Sequence, residues 1–141
     1  MPESRSVIYG IGIDLIEIER IGAAVARHGE RFAQRILGPQ ELQRYHARRE
    51  RSIARGIAFL ATRFAAKEAI AKALGLGMRQ PMSWRAVEIV NDSSGRPLAR
   101  IASSALQHYA DERRLRLHVS VTDERQMAAA YAVAEVEEGR P

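Results

Sequence analysis

Apolar and polar residues alternate most regularly near the C-terminal end of the chain. From Leu115 to Thr122, leucine or valine occupies every second position and polar residues occupy the others. This period of two predicts a strand with one buried face. A turn at Asp123–Gln126 leads into a second strand, Met127–Val136, and we expect the two to form an antiparallel hairpin.

The rest of the chain predicts helices and shorter strands, with glycine or proline at several of their ends. The predicted helices are Glu19–His28, Arg31–Leu37, Gln40–Arg51, Ile57–Leu74 and Ser103–Glu112, and the other predicted strands are Val7–Ile13, Trp84–Val90 and Leu98–Ile101. The longest helix is closed by Gly75, a typical C-terminal cap. Together these elements predict an α+β fold, with residues 1–141 forming a single domain.

Composition narrows the possible functions. The chain has 141 residues, of which 46% are hydrophobic and 28% are charged, as in ordinary globular proteins. It has no cysteine, which excludes disulfide scaffolds, thiolate zinc sites and cysteine nucleophiles. No apolar run reaches the roughly 18–20 residues that span a bilayer, and the N-terminus lacks the pattern of a secretory signal. We therefore expect a cytoplasmic protein without a membrane partner.

The net charge of +5 favours an acidic partner, whether nucleic acid, a phosphorylated ligand or an acidic protein. Of the 22 basic residues, all but Lys67 and Lys72 are arginine. Lysine carries a compact point charge on a flexible stem, whereas arginine presents a planar fork. Two lysines within one short segment therefore indicate a place where an ammonium group is needed.

Asp14 follows the first predicted strand and shares a strand face with Gly10 and Gly12. Glycine at such positions allows another backbone or a ligand to approach closely. Both glycine and aspartate are disfavoured in strands, and residues that break a local preference often mark functional sites. Two interpretations remain open: Asp14 caps the helix that follows, or it is a functional carboxylate.

Glu68 lies in the long apolar helix, where Leu60, Phe64 and Glu68 follow one another at intervals of four residues. A carboxylate on a mostly buried helix needs a partner, because an unpaired buried charge is very costly. Lys72, one turn further on, offers an intrahelical pair. The alternative is a hard-cation site formed by Asp14 and Glu68, since Mg²⁺ is usually held by one or two carboxylates together with substrate phosphates.

Several segments together resemble the holo-acyl-carrier-protein synthases, a family of small phosphopantetheinyl transferases. The segment from Ile11 to Ile18 (IGIDLIEI) is similar to the family's first motif, and the segment from Arg63 to Gly75 (RFAAKEA, then KALG) to its second. The segments Gly95–Pro97 and His118–Asp123 are similar to later family segments, in the same order. The resemblance covers roughly Ile8 to Glu135 and indicates the short, bacterial-type branch. It implies a phosphopantetheinyl transferase-like fold, in which an antiparallel sheet packs with one long central helix.

This resemblance implies a specific reaction and specific site residues. Members transfer the 4'-phosphopantetheine arm of coenzyme A to a serine of apo acyl carrier protein, a step that serves fatty acid biosynthesis, and release adenosine 3',5'-bisphosphate. By this analogy Asp14 and Glu68 hold Mg²⁺, and Lys72 neutralises phosphate charge. Lys67 either assists or is structural. The remaining implied contacts are Gly75, Gly95 and Pro97 for the coenzyme pocket, and Arg20, Arg31 and Arg35 for the acidic carrier protein.

The short branch also forms homotrimers with active sites between subunits, so a homotrimer is implied here. Two positions depart from the commonest family pattern: Asp123 stands where many members have histidine, and Ser94 where asparagine often precedes the glycine. The rival interpretation is an arginine-rich nucleic-acid-binding module. That module explains the charge, but it explains neither Asp14 and Glu68 nor the paired lysines, and only 6% of the residues are aromatic for base stacking.

Overall fold

The computed structural model describes residues 5–138 of the chain. Its strands are β1 (Arg5–Glu17), β2 (Val87–Asn91), β3 (Pro97–Ile101), β4 (Arg116–Asp123) and β5 (Met127–Glu138). Its helices are α1 (Ile18–His28), α2 (Glu30–Ile36), α3 (Pro39–Arg51), α4 (Ile53–Leu74) and α5 (Ser104–Arg113). The predicted α+β class is confirmed.

The strands form two separate antiparallel sheets. One has three strands in the order β1-β5-β4, and the other is the hairpin of β2 and β3. The predicted hairpin of the last two strands is confirmed, with Val119 opposite Ala132 in its register. Strand β5 lies in the centre of the larger sheet, and its small residues Ala128, Ala130, Ala132 and Ala134 are buried on one face.

Helix α4 packs against this alanine face and forms the centre of the molecule. Fifteen of its residues are buried, mostly alanine, leucine and isoleucine. Its many alanines leave room for close packing on the sheet, since a small side chain keeps the two backbones near each other. The predicted arrangement of an antiparallel sheet on one long central helix is confirmed.

Several element boundaries differ from those that the sequence predicts. Helix α4 begins at Ile53 rather than Ile57, because the Ser52 hydroxyl caps it by accepting from the backbone N–H of Arg55 at 3.3 Å. Strand β2 begins at Val87 rather than Trp84. Strand β1 continues to Glu17, well beyond its predicted end at Ile13. Continuous pairing of β1 with β5 from Gly10 to Glu17 overrides the weak strand preference of Gly12 and Asp14.

None of the helices between residues 5 and 138 combines the length and the apolar character needed to cross a membrane.

Candidate active site

Two glycines bring β1 and α4 into close contact. A Cβ atom on Gly10 would lie 2.0 Å from the carbonyl oxygen of Ala73, and one on Gly12 would lie 2.0 Å from that of Ala69. No side chain fits at either position, so the strand lies directly on the helix backbone. Asp14 is the next residue on this face of β1, and the contact places it beside the last two turns of α4.

Asp14, Glu68 and Lys72 meet at this contact. The Lys72 ammonium donates to the backbone carbonyl of Ile13 at 2.9 Å and to Oδ1 of Asp14 at 3.3 Å. The Lys72 side chain is 53% exposed and that of Asp14 is 18% exposed. The site is therefore half-open, with one ammonium and two carboxylates at the protein surface.

The protonation of Glu68 reflects this neighbourhood. Partial burial raises the pKa of the Glu68 carboxyl, and the negative charge of Asp14 raises that pKa further, while Lys72 partly offsets both effects. Two carboxylates that repel each other in this way attract a cation. Within residues 5–138, no cluster of three or more His, Cys, Asp or Glu side chains has metal-binding geometry.

The structure excludes the cap and the intrahelical ion pair that the sequence left open. Asp14 does not cap α1: it lies inside β1, and α1 begins at Ile18, whose backbone N–H donates to the carbonyl of Gln126 at 2.8 Å. Lys72 forms its ion pair with Asp14 rather than with Glu68, so the intrahelical pair is wrong as well. A strand residue has displaced the helical neighbour, because β1 lies so close to α4.

Lys67 has a different environment from Lys72. Its side chain is fully buried, and its ammonium donates to Oε1 of Glu41 and to the carbonyl of Ile36, each at 2.6 Å. The second oxygen of Glu41 accepts from the backbone N–H of Ile89 at 2.9 Å. Burial lowers the pKa of Lys67, and Glu41 opposes that effect. Lys67 thus joins α4 to α2 and α3, and through Glu41 to β2. Of the two roles that the sequence left open for Lys67, this is the structural one.

The three residues expected at a coenzyme pocket lie in two places. Gly75 ends α4 in the left-handed conformation, with φ of 72°, three residues after Lys72. Gly95 lies in the turn between β2 and β3, also with positive φ, and Pro97 begins β3. This hairpin is a separate sheet, and the side chain of Arg63 on α4 donates hydrogen bonds to it.

The three arginines expected at a docking surface lie on the first two helices. Arg20 is on α1, Arg31 and Arg35 are on α2, and all three are exposed. Arg31 and Arg35 line a shallow cavity of about 400 Å³ together with His28 and Phe32. The ring of Phe32 stacks on that of Phe64 from α4, with 6.4 Å between centroids. The surface is therefore positively charged, and the aromatic ring of Phe32 forms part of the cavity wall.

One basic cavity was not anticipated from the sequence. It measures about 310 Å³ and is lined by Arg48, Arg55, Arg63 and Asp123, among other residues. The guanidinium groups of Arg48 and Arg63 lie 4.7 and 4.2 Å from the centroid of the Phe59 ring. Burial lowers the pKa of Arg63 to about 10. The one feature of the sequence that could have indicated this cavity is Arg63 itself, an arginine within an otherwise apolar stretch of a buried helix.

Comparison with known proteins identifies the family. Residues 10–134 match the model of the 4'-phosphopantetheinyl transferase superfamily. A holo-[acyl-carrier-protein] synthase of Bordetella parapertussis is 57% identical over 99% of this chain and 93% of its own length.

Solved structures agree with this match. The holo-[acyl-carrier-protein] synthase of Neisseria meningitidis superposes with a TM-score of 0.82 at 37% identity, covering 91% of this chain and 98% of that one. The corresponding synthase of Bacillus anthracis, solved in complex with CoA (3',5'-ADP), has a TM-score of 0.73 at 32% identity, covering 92% and 97%. The chain therefore belongs to the holo-[acyl-carrier-protein] synthase family of the 4'-phosphopantetheinyl transferase superfamily.

Proposed function

We propose that the protein transfers the 4'-phosphopantetheine arm of coenzyme A to a serine of apo acyl carrier protein. The reaction depends on Mg²⁺ and releases adenosine 3',5'-bisphosphate. The observation that carries this proposal is the cluster of Asp14, Glu68 and Lys72 where β1 crosses α4. The name of the Bordetella relative and the ligand named for the Bacillus structure support the choice of substrates.

The residues of the cluster fit a magnesium ion. Asp14 and Glu68 supply carboxylate oxygens, the ligand type that Mg²⁺ prefers, and their mutual repulsion favours a bound cation. Two protein ligands suffice, because Mg²⁺ usually keeps several waters and takes further ligands from substrate phosphates. When bound, the ion would neutralise the diphosphate of coenzyme A and polarise its phosphoryl oxygens.

Lys72 and Glu68 have distinct proposed roles in the transfer. The serine hydroxyl attacks the β-phosphorus of coenzyme A, and the bond from that phosphorus to the bridging oxygen breaks as the bisphosphate leaves. The exposed ammonium of Lys72 stabilises the negative charge that develops on the phosphate oxygens. Glu68 is our candidate for the group that accepts the serine proton, directly or through a water molecule. Burial and the neighbouring charge of Asp14 raise the pKa of its carboxyl, an effect that a bound cation would oppose.

We propose that the carrier protein docks on the surface formed by Arg20, Arg31 and Arg35. These exposed arginines suit an acidic helix, and Arg31 and Arg35 line the cavity over Phe32. We further propose that Gly75, Gly95 and Pro97 line the coenzyme pocket. Glycine at 75 and 95 leaves the backbone open to a ligand, since a Cβ at either position would meet no other atom within 4 Å.

We propose that the protein is a homotrimer that associates through the outer face of its larger sheet. Ile11, Ile13 and Leu15 on β1 are between 57 and 64% exposed there, although they are large and apolar. Tyr131 of β5 pairs with Ile13 and extends the same face. An apolar face of this kind on a soluble protein marks an interface. The trimeric number follows from the family resemblance.

Mass spectrometry of apo acyl carrier protein tests the reaction directly. After incubation with the enzyme, coenzyme A and Mg²⁺, we expect a mass increase of one phosphopantetheine group on one serine, together with free adenosine 3',5'-bisphosphate. A chelator should block the change, and Mg²⁺ in excess of the chelator should restore it. An unmodified carrier protein, or modification that proceeds equally well in chelator, would contradict the proposal.

A further inference from the structure

The β2–β3 hairpin is attached to the rest of the molecule in an unusual way. Among residues 5–138, it forms no ladder with the three-stranded sheet. Instead, side chains bind the free backbone groups of β2: Glu41 accepts from the N–H of Ile89, and Arg63 donates to the carbonyl of the same residue at 3.5 Å. The position of the hairpin relative to α4 therefore depends on these side-chain contacts as well as on the packing of Val87 and Ile89 in the core.

Asn91 extends this attachment from β2 into the turn. Its Oδ1 accepts from the Arg63 guanidinium at 3.1 Å, and its Nδ2 donates to the backbone carbonyl of Gly95 at 2.8 Å. One amide thus connects a side chain of α4 to the residue at the tip of the hairpin. Only a side chain with both an acceptor and a donor can make this bridge.

The helix end of this connection is rigid. Arg63 is buried, its guanidinium stacks on Phe59, and it also donates to the hydroxyl of Thr62 at 3.2 Å. The turn itself is shaped by Asp92, whose Oδ1 accepts from the backbone N–H groups of Ser94 and Arg96 at 2.8 and 3.0 Å. Asp92 therefore sets the shape of the turn, and Asn91 sets its position against α4.

We propose that Asn91 is a positioning residue for coenzyme binding: it links Arg63 on α4 to the Gly95 carbonyl and so holds the segment from Gly95 to Pro97 in register with the site on the same helix. This inference rests on the proposed function, because it takes Gly95 and Pro97 as part of the coenzyme pocket. Asn91 acts through the turn and does not touch the reacting atoms.

Two substitutions separate positioning from folding. Asn91→Ala removes both hydrogen bonds. Asn91→Asp keeps the acceptor for Arg63, in a charged form, but has no donor for Gly95. We expect both variants to raise the Kd for coenzyme A, measured calorimetrically with Mg²⁺, by about three- to tenfold, the value of one hydrogen bond. The KM for carrier protein should change by less than about twofold.

Stability and amide exchange complete the test. We expect Asn91→Asp to unfold at a temperature no lower than that of the wild type, while the amide of Gly95, whose carbonyl Asn91 holds and whose N–H donates to the carbonyl of Asp92 at 2.9 Å, exchanges faster. The matched control is Gln107→Ala, which removes an exposed amide that donates to Asp111 on α5, and it should change neither coenzyme affinity nor the turn.

Wild-type affinity in both Asn91 variants, or a weakening that only follows a fall in thermal stability, would overturn the positioning role. If the wild type itself fails to bind coenzyme A, the proposed function fails. Amide exchange then still decides whether Asn91 restrains the turn, and an unchanged exchange rate would reject the link.

Discussion

Individual residues divide the chemistry of α4 between two neighbouring lysines. Lys67 and Lys72 lie five residues apart, yet one is fully buried against Glu41 and the other is exposed beside Asp14. The pattern of basic residues distinguished both from the arginines, and the family resemblance assigned Lys72 to the phosphates, but the pattern itself did not separate their roles. Burial does so, because a desolvated ammonium with two fixed acceptors has no free donor position directed to a substrate in solvent.

Replacing each lysine by methionine should expose this division. Lys67→Met leaves Glu41 buried without its counter-ion, so we expect the free energy of unfolding to fall by about 3–5 kcal/mol. Lys72→Met, the matched control on the same helix, should change stability by less than about 1 kcal/mol but abolish transfer. Urea unfolding and the mass-spectrometric assay measure the two effects. Equal losses of stability in both variants would contradict the assignment.

Glu68 predicts a pH-dependent stability. Its pKa is raised in the folded protein, so the folded state holds its proton to higher pH than the unfolded state does. Ionised Glu68 therefore costs stability, and this cost appears as the pH rises above the ordinary glutamate pKa of 4.5. Without Mg²⁺, Glu68→Gln should consequently unfold at a higher temperature than the wild type at neutral pH, and the difference should vanish in acid.

The same Glu68→Gln variant tests the metal assignment. Mg²⁺ should raise the unfolding temperature of the wild type, because a ligand that binds only the folded state stabilises it. It should do so much less in the variant, which should also lose Mg²⁺-dependent transfer while keeping its fold. Wild-type turnover by Glu68→Gln would refute both the metal ligand and the base.

At the level of elements, the contact between β1 and α4 creates the site. Gly12 is essential to it, since a Cβ there would lie 2.0 Å from a helix carbonyl. We expect Gly12→Ala to push the strand and helix apart, to cost about 1–3 kcal/mol or more of stability, and to weaken Mg²⁺ binding.

A second glycine provides the control for this substitution. A Cβ on Gly22 in α1 would lie 3.7 Å from its nearest neighbour, the Cγ2 atom of Ile57, which is an ordinary contact. Gly22→Ala should therefore be neutral or stabilising, by up to about 1 kcal/mol, because alanine favours a helix. Thermal unfolding with and without Mg²⁺ compares the two, and a Gly12→Ala variant as stable and as responsive as Gly22→Ala would contradict the close contact.

The helices α1 and α2 carry the proposed docking surface, and charge reversal tests it. Arg20→Glu should raise the KM for carrier protein about tenfold, equivalent to about 1.4 kcal/mol, and leave the KM for coenzyme A nearly unchanged. Arg85→Glu removes another exposed arginine outside these helices and makes the same change in net charge. Steady-state kinetics at two ionic strengths should show an effect specific to Arg20 that weakens in salt. Equal effects on both substrates would count against the surface.

At the scale of the whole molecule, the apolar sheet face predicts self-association. Ile13→Asp should convert the proposed trimer into monomers in analytical ultracentrifugation, because a buried unpaired charge at the interface is costly. If the active sites lie between subunits, transfer should be lost with the trimer. Ile53→Asp is the control, since Ile53 is equally exposed but lies at the start of α4. A trimeric Ile13→Asp variant would exclude this face as the interface.

Local patterns in the sequence determined the class of fold and most elements. Alternation predicted the last two strands, and the family resemblance predicted Asp14, Glu68 and Lys72 as one site. The boundaries of β1 and α4 were less predictable, because strand pairing with β5 and the Ser52 cap outweigh local preference.

Tertiary structure decided how the residues of the site come into contact. The sequence showed that Gly10, Gly12 and Asp14 share a face, but only the packed fold shows that the two glycines lie against α4 and bring Asp14 to Lys72. The packed fold also shows that Ile11 and Ile13 of β1 face outward while Ile16 is buried, whereas a sequence pattern gives the periodicity of a strand without saying which face is covered. The hydrophobic period and the secondary-structure propensity are local properties of the chain. The contact partner, the burial and the pKa of a side chain arise from contacts between residues far apart in sequence.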